Sequence, residues 1–497
     1  MEKFAELAET HSAVVFCVGD YAYKLKKPVN LGFLDFSSPE ARGHACHRET
    51  ELNRRFAPDV YLGVADVHGP AGQTCDYLVL MRRMPASRCL SALIHAGEPV
   101  ESALRQVARI LAVQHASAVH SADIDVEGTR NAVRCRWEKN LSELSQVRGE
   151  VIEQNEINEA RDLAERFLAG RSPLFNARIS AGRIVDGHGD LLAGDIFCLA
   201  DGPRILDCLE FDDRLRRLDG VDDAAMLAMD LERLGSSALA RQFVSWYLEY
   251  SGDTAPSSLR HHYVAYRALV RAKVGCLQAR QGDADAAGQA RQTAAIALRH
   301  LHAGAVTLVL VGGLPGTGKS TLAGRIADRL GFALLSSDRT RKELAGLAAD
   351  QRAGTVYGTG IYGEPWTDRT YSELLCRASE LLASGESVVL DASWMSSHRR
   401  QAAAAIAKET SSDLIQLNCT AASSVTNDRI SGRPGSSDAD PAVAAAMARG
   451  WDPWPEATVI ETDLRSEDET EQLAVARIRP YGPEHVWHPA RPYMTPG

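Results

Sequence analysis

The N-terminal part of the chain alternates short apolar runs with turn residues and charged stretches. Apolar runs of strand length occur at residues 13–18, 21–25 and 77–81. The first two are separated only by Gly19-Asp20, which predicts a tight hairpin. A charged stretch with helical spacing covers residues 39–56. This pattern predicts a small α+β lobe of antiparallel strands with one helix.

Helical periodicity dominates the middle of the chain. Apolar positions recur at three and four residues over 90–168 and again over 222–301, where the turn-rich SGDTAPSS interrupts them. Strand-like segments return near 184–185 and 205–206. We therefore expect a second, mostly helical lobe after the first.

Beyond residues 302–304 the apolar pattern becomes that of a parallel sheet. VTLVLVGG is a continuous apolar run that enters a glycine-rich loop, as a buried parallel strand does. Strand-length runs then alternate with helical segments, at 306–311, 333–335, 387–390, 413–417 and 458–460. The fold class that follows is an α+β domain of two lobes over 1–303 and an α/β domain with a parallel sheet over 304–497.

The composition is that of a folded globular protein, with 45% hydrophobic and 24% charged residues in 497. Such a length favours about three folding units, which two domains satisfy if one has two lobes. The formal net charge of −10 gives no general attraction to nucleic acid or to an anionic membrane. No apolar stretch reaches the ~18 residues of a membrane span.

The ten cysteines are scattered without a CxxC pair, so they indicate neither a zinc site nor a disulfide framework. They are typical of reduced thiols. The segment MEKFAELAETH carries three glutamates and no apolar signal core. We therefore expect a cytoplasmic protein.

The segment GLPGTGKS matches the GxxxxGK[S/T] pattern in full, directly after an apolar run and before helical spacing. Its glycines let backbone N–H groups turn toward phosphate oxygens, and the following helix presents its positive N-terminus. Lys319 then reaches the β and γ oxygens of ATP, and Ser320 binds Mg²⁺. The predicted ATP-binding residues are Gly313, Leu314, Pro315, Gly316, Thr317, Gly318, Lys319, Ser320 and Thr321.

Further charged residues follow the strands of this part. Asp391 ends the apolar run SVVLD, where a carboxylate can hold the magnesium shell. Asp338 and Arg341 follow the second strand, facing where an acceptor would lie. Arg429 and Arg433 are four residues apart on one helical face, which suits a lid over the γ-phosphate. An exposed surface position is the alternative for Asp391 and for the arginine pair.

This C-terminal part resembles small P-loop kinases of the gluconate kinase and zeta-toxin type. The resemblance implies ATP at the P-loop, Asp338 as catalytic base or acceptor-orienting group, and Arg341 as an acceptor contact. It also implies a lid that carries Arg429 and Arg433. The sequence has no arginine finger or sensor motif of a ring-forming ATPase, which favours a phosphotransferase over a motor.

The segment HGDLLAGDIF carries a second set of phosphate-transfer residues. Asp195 follows Asp190 by five residues, and Asp207 follows twelve further on in the strand-like ILDCLEFDD. A kinase catalytic loop needs one carboxylate to accept the acceptor proton, a metal ligand five residues later and another on the next strand. The spacing matches that requirement.

The N-terminal lobe offers partners for this loop. Lys24 in AYKLKKP is the preferred lysine for the α- and β-phosphates, with Lys26 on the same strand face as its rival. Glu49 is the preferred helix partner of that lysine, ahead of Glu51. No GxGxxG loop precedes the lysine, so the backbone and hydroxyls near residues 10 and 12 are the candidates for covering the phosphates.

The N-terminal part resembles aminoglycoside phosphotransferase-like kinases over residues 1–303, on THSAVVFCVGDYAYKLKKPVNLGFLDF, HGDLLAGDIF and ILDCLEFDDRLRRLD. It therefore implies a protein-kinase-like fold of two lobes. It implies Asp190 as catalytic base and Asp195 and Asp207 as Mg²⁺ ligands. That fold usually has asparagine at position 195, and the extra charge of aspartate tightens metal binding or adds repulsion without metal. The whole chain is similar to bacterial proteins that fuse such a kinase to a P-loop kinase.

Residues that point to an acceptor are few. Arg267 and Arg271 share one helical face and suit either an anionic acceptor or structural ion pairs. An acidic cluster after position 207 suits either a cationic acceptor or the anchoring of the loop and the next helix, and it comprises Glu210, Asp212, Asp213, Asp219, Asp222 and Asp223.

The sequence thus predicts a bifunctional ATP-dependent kinase that uses ATP and Mg²⁺ and phosphorylates hydroxyl groups of small molecules. Two alternatives stay open. The P-loop part acts as a nucleotide sensor or ATPase that regulates the first part, or it is a nucleic-acid end kinase with Arg339, Arg341 and Lys342 as a basic lip. Nucleic acid and membrane are not the expected partners, and the sequence does not set an oligomeric state.

Overall fold

The computed structural model describes residues 5–9, 13–29, 35–348, 351, 358–431 and 441–479. The chain forms two compact units. The first unit comprises Met1–Glu153, Ala177–Ala255 and Tyr263–Ala297. The second unit comprises Gln154–Asn176, Pro256–His262 and Leu298–Gly497. The second unit therefore includes three stretches that precede the predicted domain border at 303/304, namely residues 154–176, 256–262 and 298–303. That border stays a prediction.

A five-stranded antiparallel sheet begins the first unit, in the order β1-β2-β3-β5-β4. Its strands are β1 (Ala5–Glu9), β2 (Ala13–Val18), β3 (Tyr21–Lys26), β4 (Tyr61–His68) and β5 (Thr74–Arg82). Helix α1 (Pro39–Asn53) follows β3 and packs against the sheet. The predicted hairpin joins β2 to β3, with Gly19 in the left-handed region at φ 55°. A helix after the third strand is the layout of the small lobe of a kinase.

Helices make up most of the chain between residues 90 and 303. They are α2 (Leu90–His95), α3 (Glu101–Ala116), α4 (Ala122–Asp125), α5 (Arg130–Val147), α6 (Gln154–Ala169), α7 (Ser172–Ser180), α8 (Gly220–Arg233), α9 (Ser237–Ser251), α10 (Ser257–Arg280) and α11 (Ala286–Ala303). Two small antiparallel pairs join β6 (Ile184–Asp186) to β9 (Arg217–Asp219) and β7 (Ile196–Leu199) to β8 (Gly202–Ile205). Almost every residue of α8 is buried, so α8 forms the centre of this helical lobe.

The second unit contains a five-stranded sheet in the order β11-β12-β10-β13-β14. All its neighbouring strands are parallel, and they are β10 (Thr307–Gly313), β11 (Ala333–Ser336), β12 (Val388–Asp391), β13 (Asp413–Thr420) and β14 (Thr458–Glu461). The helices are α12 (Lys319–Leu330), α13 (Ser337–Leu344), α14 (Glu364–Ala383), α15 (Ser397–Glu409), α16 (Ser423–Ser431), α17 (Pro441–Arg449) and α18 (Glu467–Ile478).

Central strand β10 is buried along its whole length, as expected for an apolar run with a strand on each side. Leu322 and Ile326 of α12 pack against β10 in the core of this unit. The predicted fold class is therefore confirmed: a two-lobed α+β, protein-kinase-like unit and an α/β unit with a parallel sheet. Over the described ranges, every helix is too short or too polar to cross a membrane.

Candidate active sites

A buried ion pair joins the two elements of the small lobe that the sequence singled out. The Lys24 ammonium on β3 lies 2.9 Å from Glu49 Oε1 on α1. The same Nζ lies 2.5 Å from Asp207 Oδ1, beyond β8. Glu49 is fully buried, so its carboxylate is a fixed partner for lysine. The structure thus brings Lys24, Glu49 and Asp207 together.

Lys26, the rival lysine, shares the same glutamate. Its Nζ lies 2.7 Å from Glu49 Oε2 and also pairs with Glu210. Lys26 is buried, whereas Lys24 extends to Asp207 at the more open end of the network. This placement favours Lys24 as the phosphate ligand. The role of Glu210 in this network was not predicted from the sequence, because no motif marks a second lysine–glutamate pair.

The three aspartates of the catalytic-loop motif influence one another. Burial raises the pKa of Asp190, and Asp207 raises it further against the opposing charge of Arg271. Burial, Asp207 and Asp190 together raise the pKa of Asp195 well above its usual range. Lys24 holds the pKa of Asp207 below its usual value. The three carboxylates are therefore electrostatically coupled, and a direct contact to Lys24 is made by Asp207.

These oxygen ligands suit Mg²⁺. Close carboxylates repel each other until a cation neutralises them, and carboxylate oxygen is the donor that Mg²⁺ prefers. Among the described residues, no group of three or more acidic, cysteine or histidine side chains is placed to hold a metal ion by itself. That arrangement is usual where one or two carboxylates bind Mg²⁺ and nucleotide phosphates supply further ligands.

The acidic residues of α8 and its start anchor the HGD loop. Both oxygens of Asp223 accept backbone N–H groups, from His188 at 2.7 Å and from Gly189 at 2.8 Å. The carboxylate also lies 3.0 Å from His115 Nε2. Burial alone would raise the pKa of Asp223, but the hydrogen bond and charge of His115 hold it well below its usual range. The structure therefore favours the anchoring role for this part of the acidic cluster.

The two arginines of α10 have different surroundings. Arg267 is buried, binds Asp222 at 2.7 Å and donates to the Gly189 carbonyl at 3.0 Å. Arg267 therefore forms a structural ion pair that supports the HGD loop, which is one of the two roles that the sequence left open for it. The charge of Arg271 lowers the pKa of Asp190, against the effect of burial. Arg271 stays a candidate for contact with an acceptor.

We expect Asp223→Ala to destabilise the first unit by about 3–5 kcal/mol, because it leaves buried N–H donors and His115 without their carboxylate. In the wild-type protein, the contribution of the Asp223 carboxylate to the free energy of unfolding is fully present above its unfolded pKa of about 4. That contribution is lost as the pH falls through its lower pKa in the folded protein. Denaturant unfolding at pH 7 and pH 3 measures both effects. Asp201→Ala is the control, since Asp201 is exposed in a surface pair. Equal stability of the two variants at pH 7 would contradict the anchoring role.

The P-loop of the second unit depends on three glycines with positive φ. Gly313, Gly316 and Gly318 have φ of 143°, 81° and 80°. A Cβ on Gly316 would lie 2.7 Å from the Thr426 carbonyl oxygen, so only glycine fits there. Helix α12 begins at Lys319, directly after the loop. Its N-terminus therefore points its free N–H groups at the phosphate site.

Asp391 ends β12 beside β10, in register with Val311. Burial raises its pKa, against the charge of Lys319 and hydrogen bonds from Ser320 and Ser336. Asp391 Oδ1 is buried and has no hydrogen-bond partner. A buried carboxylate oxygen without a partner, next to the P-loop serine, fits a ligand of Mg²⁺ or of its water.

The predicted acceptor residues lie on α13. Asp338 pairs with Lys342 at 3.1 Å, and its charge contributes to the raised pKa of Asp391. Arg341 is buried, donates to Ile361 O at 2.6 Å and covers the ring of Tyr362. Arg341 therefore positions the segment before α14, and its contact with an acceptor stays a prediction.

The basic lip proposed for a nucleic-acid end kinase is not an exposed surface. Lys342 is fully buried and Arg341 is 8% exposed, which leaves Arg339 of the three at the surface. A phosphate backbone needs accessible cations. Lys342 and Arg341 are therefore too buried to contact the phosphates of a nucleic acid.

Arg429 of α16 contacts the P-loop from outside. Its guanidinium donates to Thr462 Oγ1 at 2.9 Å and to Thr462 O at 3.0 Å, and it reaches Gly316 O at 3.4 Å. Thr462 in turn donates to Thr317 O, a clamp on the loop that no sequence motif indicated. The lid role of Arg429 stays a prediction. Arg433 lies outside the described residues, as do residues 10 and 12 of the small lobe.

Comparisons with known proteins cover nearly the whole chain. An uncharacterized protein of Mycobacterium tuberculosis is 44% identical over 462 residues, which are 93% of this chain and 93% of the relative. An uncharacterized protein of Mycobacterium bovis matches with the same values. Residues 308–453 match a family described as AAA domain, which covers the P-loop, Asp338 and Asp391.

Solved kinases align with both parts of the chain. A choline/ethanolamine kinase family protein from Mesorhizobium loti covers 60% of this chain and 90% of its own at 16% identity, with a TM-score of 0.37. An APH(2") protein in complex with GDP and kanamycin covers 59% and 91% at 14% identity, with a TM-score of 0.38.

A gluconokinase from Sinorhizobium meliloti 1021 covers 35% of this chain and 93% of its own at 18% identity, with a TM-score of 0.26. The resemblance of the two parts to an aminoglycoside phosphotransferase-like kinase and to a P-loop kinase is confirmed. The fold assignment rests on the strand orders and on the family match, since these TM-scores are below 0.5.

Proposed function

We propose that this chain, which belongs to the same family as the mycobacterial proteins that align with 93% of it, is a bifunctional ATP-dependent phosphotransferase. Each unit binds its own ATP and moves the γ-phosphoryl group to a hydroxyl group of a small molecule. One observation supports the proposal: each unit has, among its own residues, charged and hydroxyl side chains of the types that bind nucleotide phosphates and Mg²⁺. These are Lys24, Glu49, Asp190, Asp195 and Asp207 in the first unit, and Lys319, Ser320 and Asp391 in the second.

In the first unit, Lys24 binds the α- and β-phosphates while Glu49 fixes its ammonium. Asp190 accepts the proton of the acceptor hydroxyl as that oxygen bonds to the γ-phosphorus. The bond from this phosphorus to the β-γ bridging oxygen breaks, and ADP leaves. The raised pKa of Asp190 moves it toward the neutral range, where a general base is effective. Mg²⁺ held by Asp195 and Asp207 would neutralise charge on the phosphate oxygens.

In the second unit, the P-loop N–H groups and Lys319 hold the β- and γ-phosphates. Ser320 and Asp391 would hold Mg²⁺, and Asp338 is placed to accept the acceptor proton. Arg429, bound to the loop at Gly316, would approach the γ-phosphate on nucleotide binding. The acceptor would enter from the side of α13.

The test is transfer of labelled γ-phosphate from ATP to a panel of sugars, aminoglycosides, nucleotide sugars and nucleic-acid ends. Full-length wild-type, Lys24→Ala and Lys319→Ala proteins are compared. We expect two groups of labelled products, with one group lost in each variant. A single group of products that both variants lose would contradict two independent activities.

A second candidate function is favoured by the family description of residues 308–453 as an AAA domain. In this alternative the P-loop unit hydrolyses ATP, or only senses it, and regulates the first unit. It requires ATP hydrolysis without an acceptor, or a change in the first unit's rate when Lys319 is replaced. Labelled organic products that depend on Lys319 alone would exclude it.

We expect Asp195→Asn to weaken Mg²⁺ binding at the first site by about tenfold, since it removes one ligand charge worth about 1.4 kcal/mol. The same change should raise the melting temperature without Mg²⁺, because repulsion from Asp190 and Asp207 is relieved. Mg²⁺ titration of nucleotide binding and thermal melting measure the two effects. If neither quantity changes, Asp195 does not lie at the metal site.

A further inference from the structure

Helix α10 passes the HGD loop of the first unit with two arginines on one face. Arg267 donates from Nη1 to the carbonyl of Gly189, the residue before Asp190, at 3.0 Å. Arg271 follows four residues later, so it lies about one helical turn, roughly 5.4 Å, further along the same face. We propose that Arg271 binds an anionic group of the acceptor, so that the first unit phosphorylates a hydroxyl compound that carries a carboxylate or a phosphate. This acceptor class rests on the proposed function of the first unit, whose transfer site the compound would occupy.

The two arginines differ in what neutralises their charge. Arg267 is buried, and its Nε donates to Asp222 at 2.7 Å. Arg271 is partly exposed, and among the residues that the structure describes its guanidinium has neither an ion-pair nor a hydrogen-bond partner. Burial raises the pKa of Asp190, and of the charges around this carboxyl that of Arg271 opposes the effect most strongly. An accessible, unpaired guanidinium therefore lies near the carboxylate that would accept the acceptor proton.

The acidic residues around the HGD loop are already neutralised. Every carboxylate of the acidic cluster that follows position 207 lies within ion-pair distance of a lysine, arginine or histidine side chain. Asp195 and Asp207 would hold Mg²⁺, which offsets their charge. Arg271 keeps its positive charge beside Asp190, since a guanidinium does not lose its proton in proteins. The charges of the site therefore repel a cationic acceptor and attract an anionic one.

The side-chain type at position 271 also restricts the anionic group. A planar guanidinium donates two parallel hydrogen bonds to a carboxylate or to a phosphate, and neither a neutral hydroxyl nor an ammonium group offers that match. Asp190 and Arg271 both lie at the stretch of α10 that passes the HGD loop. The reacting hydroxyl and the anionic group therefore belong to one small molecule, such as a hydroxy acid or a sugar phosphate.

The γ-phosphate of ATP is the competing anion for this guanidinium. If Arg271 contacted the phosphoryl group during its transfer, its removal would lower kcat and leave the acceptor KM unchanged. If Arg271 binds the acceptor, its removal raises the acceptor KM and leaves the KM for ATP unchanged. Steady-state kinetics with each substrate varied in turn separate the two roles.

The test uses full-length Lys319→Ala protein, so that the second unit contributes little transfer. A pool of small-molecule metabolites is separated by ion exchange into anionic, neutral and cationic fractions, and each fraction is incubated with γ-labelled ATP and Mg²⁺. We expect labelled organic product from the anionic fraction, and none when Lys24→Ala is added to the protein. Lys24-dependent product from the neutral or the cationic fraction overturns the inference and leaves the proposed function standing. No product from any fraction contradicts both.

Treatment of the anionic fraction with a phosphatase, which is removed before transfer, distinguishes the two sources of the anion. Loss of the labelled product identifies a phosphate monoester as the group bound by Arg271. Retention of the product identifies a carboxylate. Each result agrees with an anionic acceptor, and the two lead to different candidate compounds.

Arg271→Gln should raise the KM of the anionic acceptor at least about tenfold, because it removes one charge-assisted contact. Arg271→Lys keeps the charge without the planar fork and should give an intermediate KM. Arg280→Gln, at an exposed position in the last turn of α10, is the matched control and should leave the KM unchanged. The melting temperatures of these proteins should agree, since Arg271 has no described partner to lose. An unchanged acceptor KM in Arg271→Gln, with or without a lower kcat, overturns the proposal.

Discussion

Replacing Asp190 with asparagine is expected to reduce phosphate transfer by the first unit about 10²–10⁴-fold, because the acceptor proton loses its base. ATP binding at this unit should stay within a few-fold, since Lys24, Asp195 and Asp207 are unchanged. Steady-state transfer of labelled phosphate measures the first quantity, and nucleotide titration measures the second. Products of the second unit should form at the wild-type rate.

Asp201→Asn is the matched control for this prediction. Asp201 is an exposed aspartate of the same unit that pairs with Arg204 at the surface. Its replacement should leave both quantities unchanged. Unchanged transfer in the Asp190→Asn protein would show that another group accepts the proton, and would remove the central residue of the first site.

Lys319→Ala is expected to have the second large effect. It should lower phosphate transfer by the P-loop unit about 10²–10³-fold, because it removes one donor to the negative charge that develops on the phosphate oxygens. Lys319 follows the loop at the start of α12, and its charge lowers the pKa of Asp391 against the effect of burial. Lys408→Ala, at an exposed position of α15, is the control. Rate measurements on both units are needed.

The same variant separates the two candidate functions. If the units act independently, Lys319→Ala leaves the first unit's rate unchanged. A change in that rate, without loss of a second group of products, would support the sensor alternative instead.

Strands, loop and sheet type in the P-loop unit could be predicted because the signals are local. A buried parallel strand is a continuous apolar run, and the loop after it needs glycines at fixed spacing. The structure has β10 and the positive-φ glycines where these signals lie. The small-lobe hairpin was equally local, with Gly19 at its turn.

Partners far apart in sequence were harder to predict. Lys26 pairs with Glu210, and their 184-residue separation hides the contact in the sequence. Asp223 of α8 anchors the HGD loop, although the acidic residues near it in the sequence equally suggested a pocket for a cationic acceptor. In such cases the residue type indicates a charge, and only the folded chain shows which group that charge contacts.

Arg171 is the extreme example. It lies in an ordinary polar segment between two helices, and no pattern distinguishes it from a surface arginine. Folding buries it against carbonyl oxygens of residues 170 and 410. Its burial could therefore be found only from the structure.

The most direct test of the central claim follows labelled γ-phosphate from ATP into a pool of small-molecule metabolites. Wild-type, Asp190→Asn and Lys319→Ala proteins are compared, and labelled organic products are separated from inorganic phosphate. We expect two groups of organic products, one lost only in the Asp190→Asn protein and the other only in the Lys319→Ala protein. Label that appears only as inorganic phosphate, or one group of products lost in both variants, would contradict a bifunctional phosphotransferase.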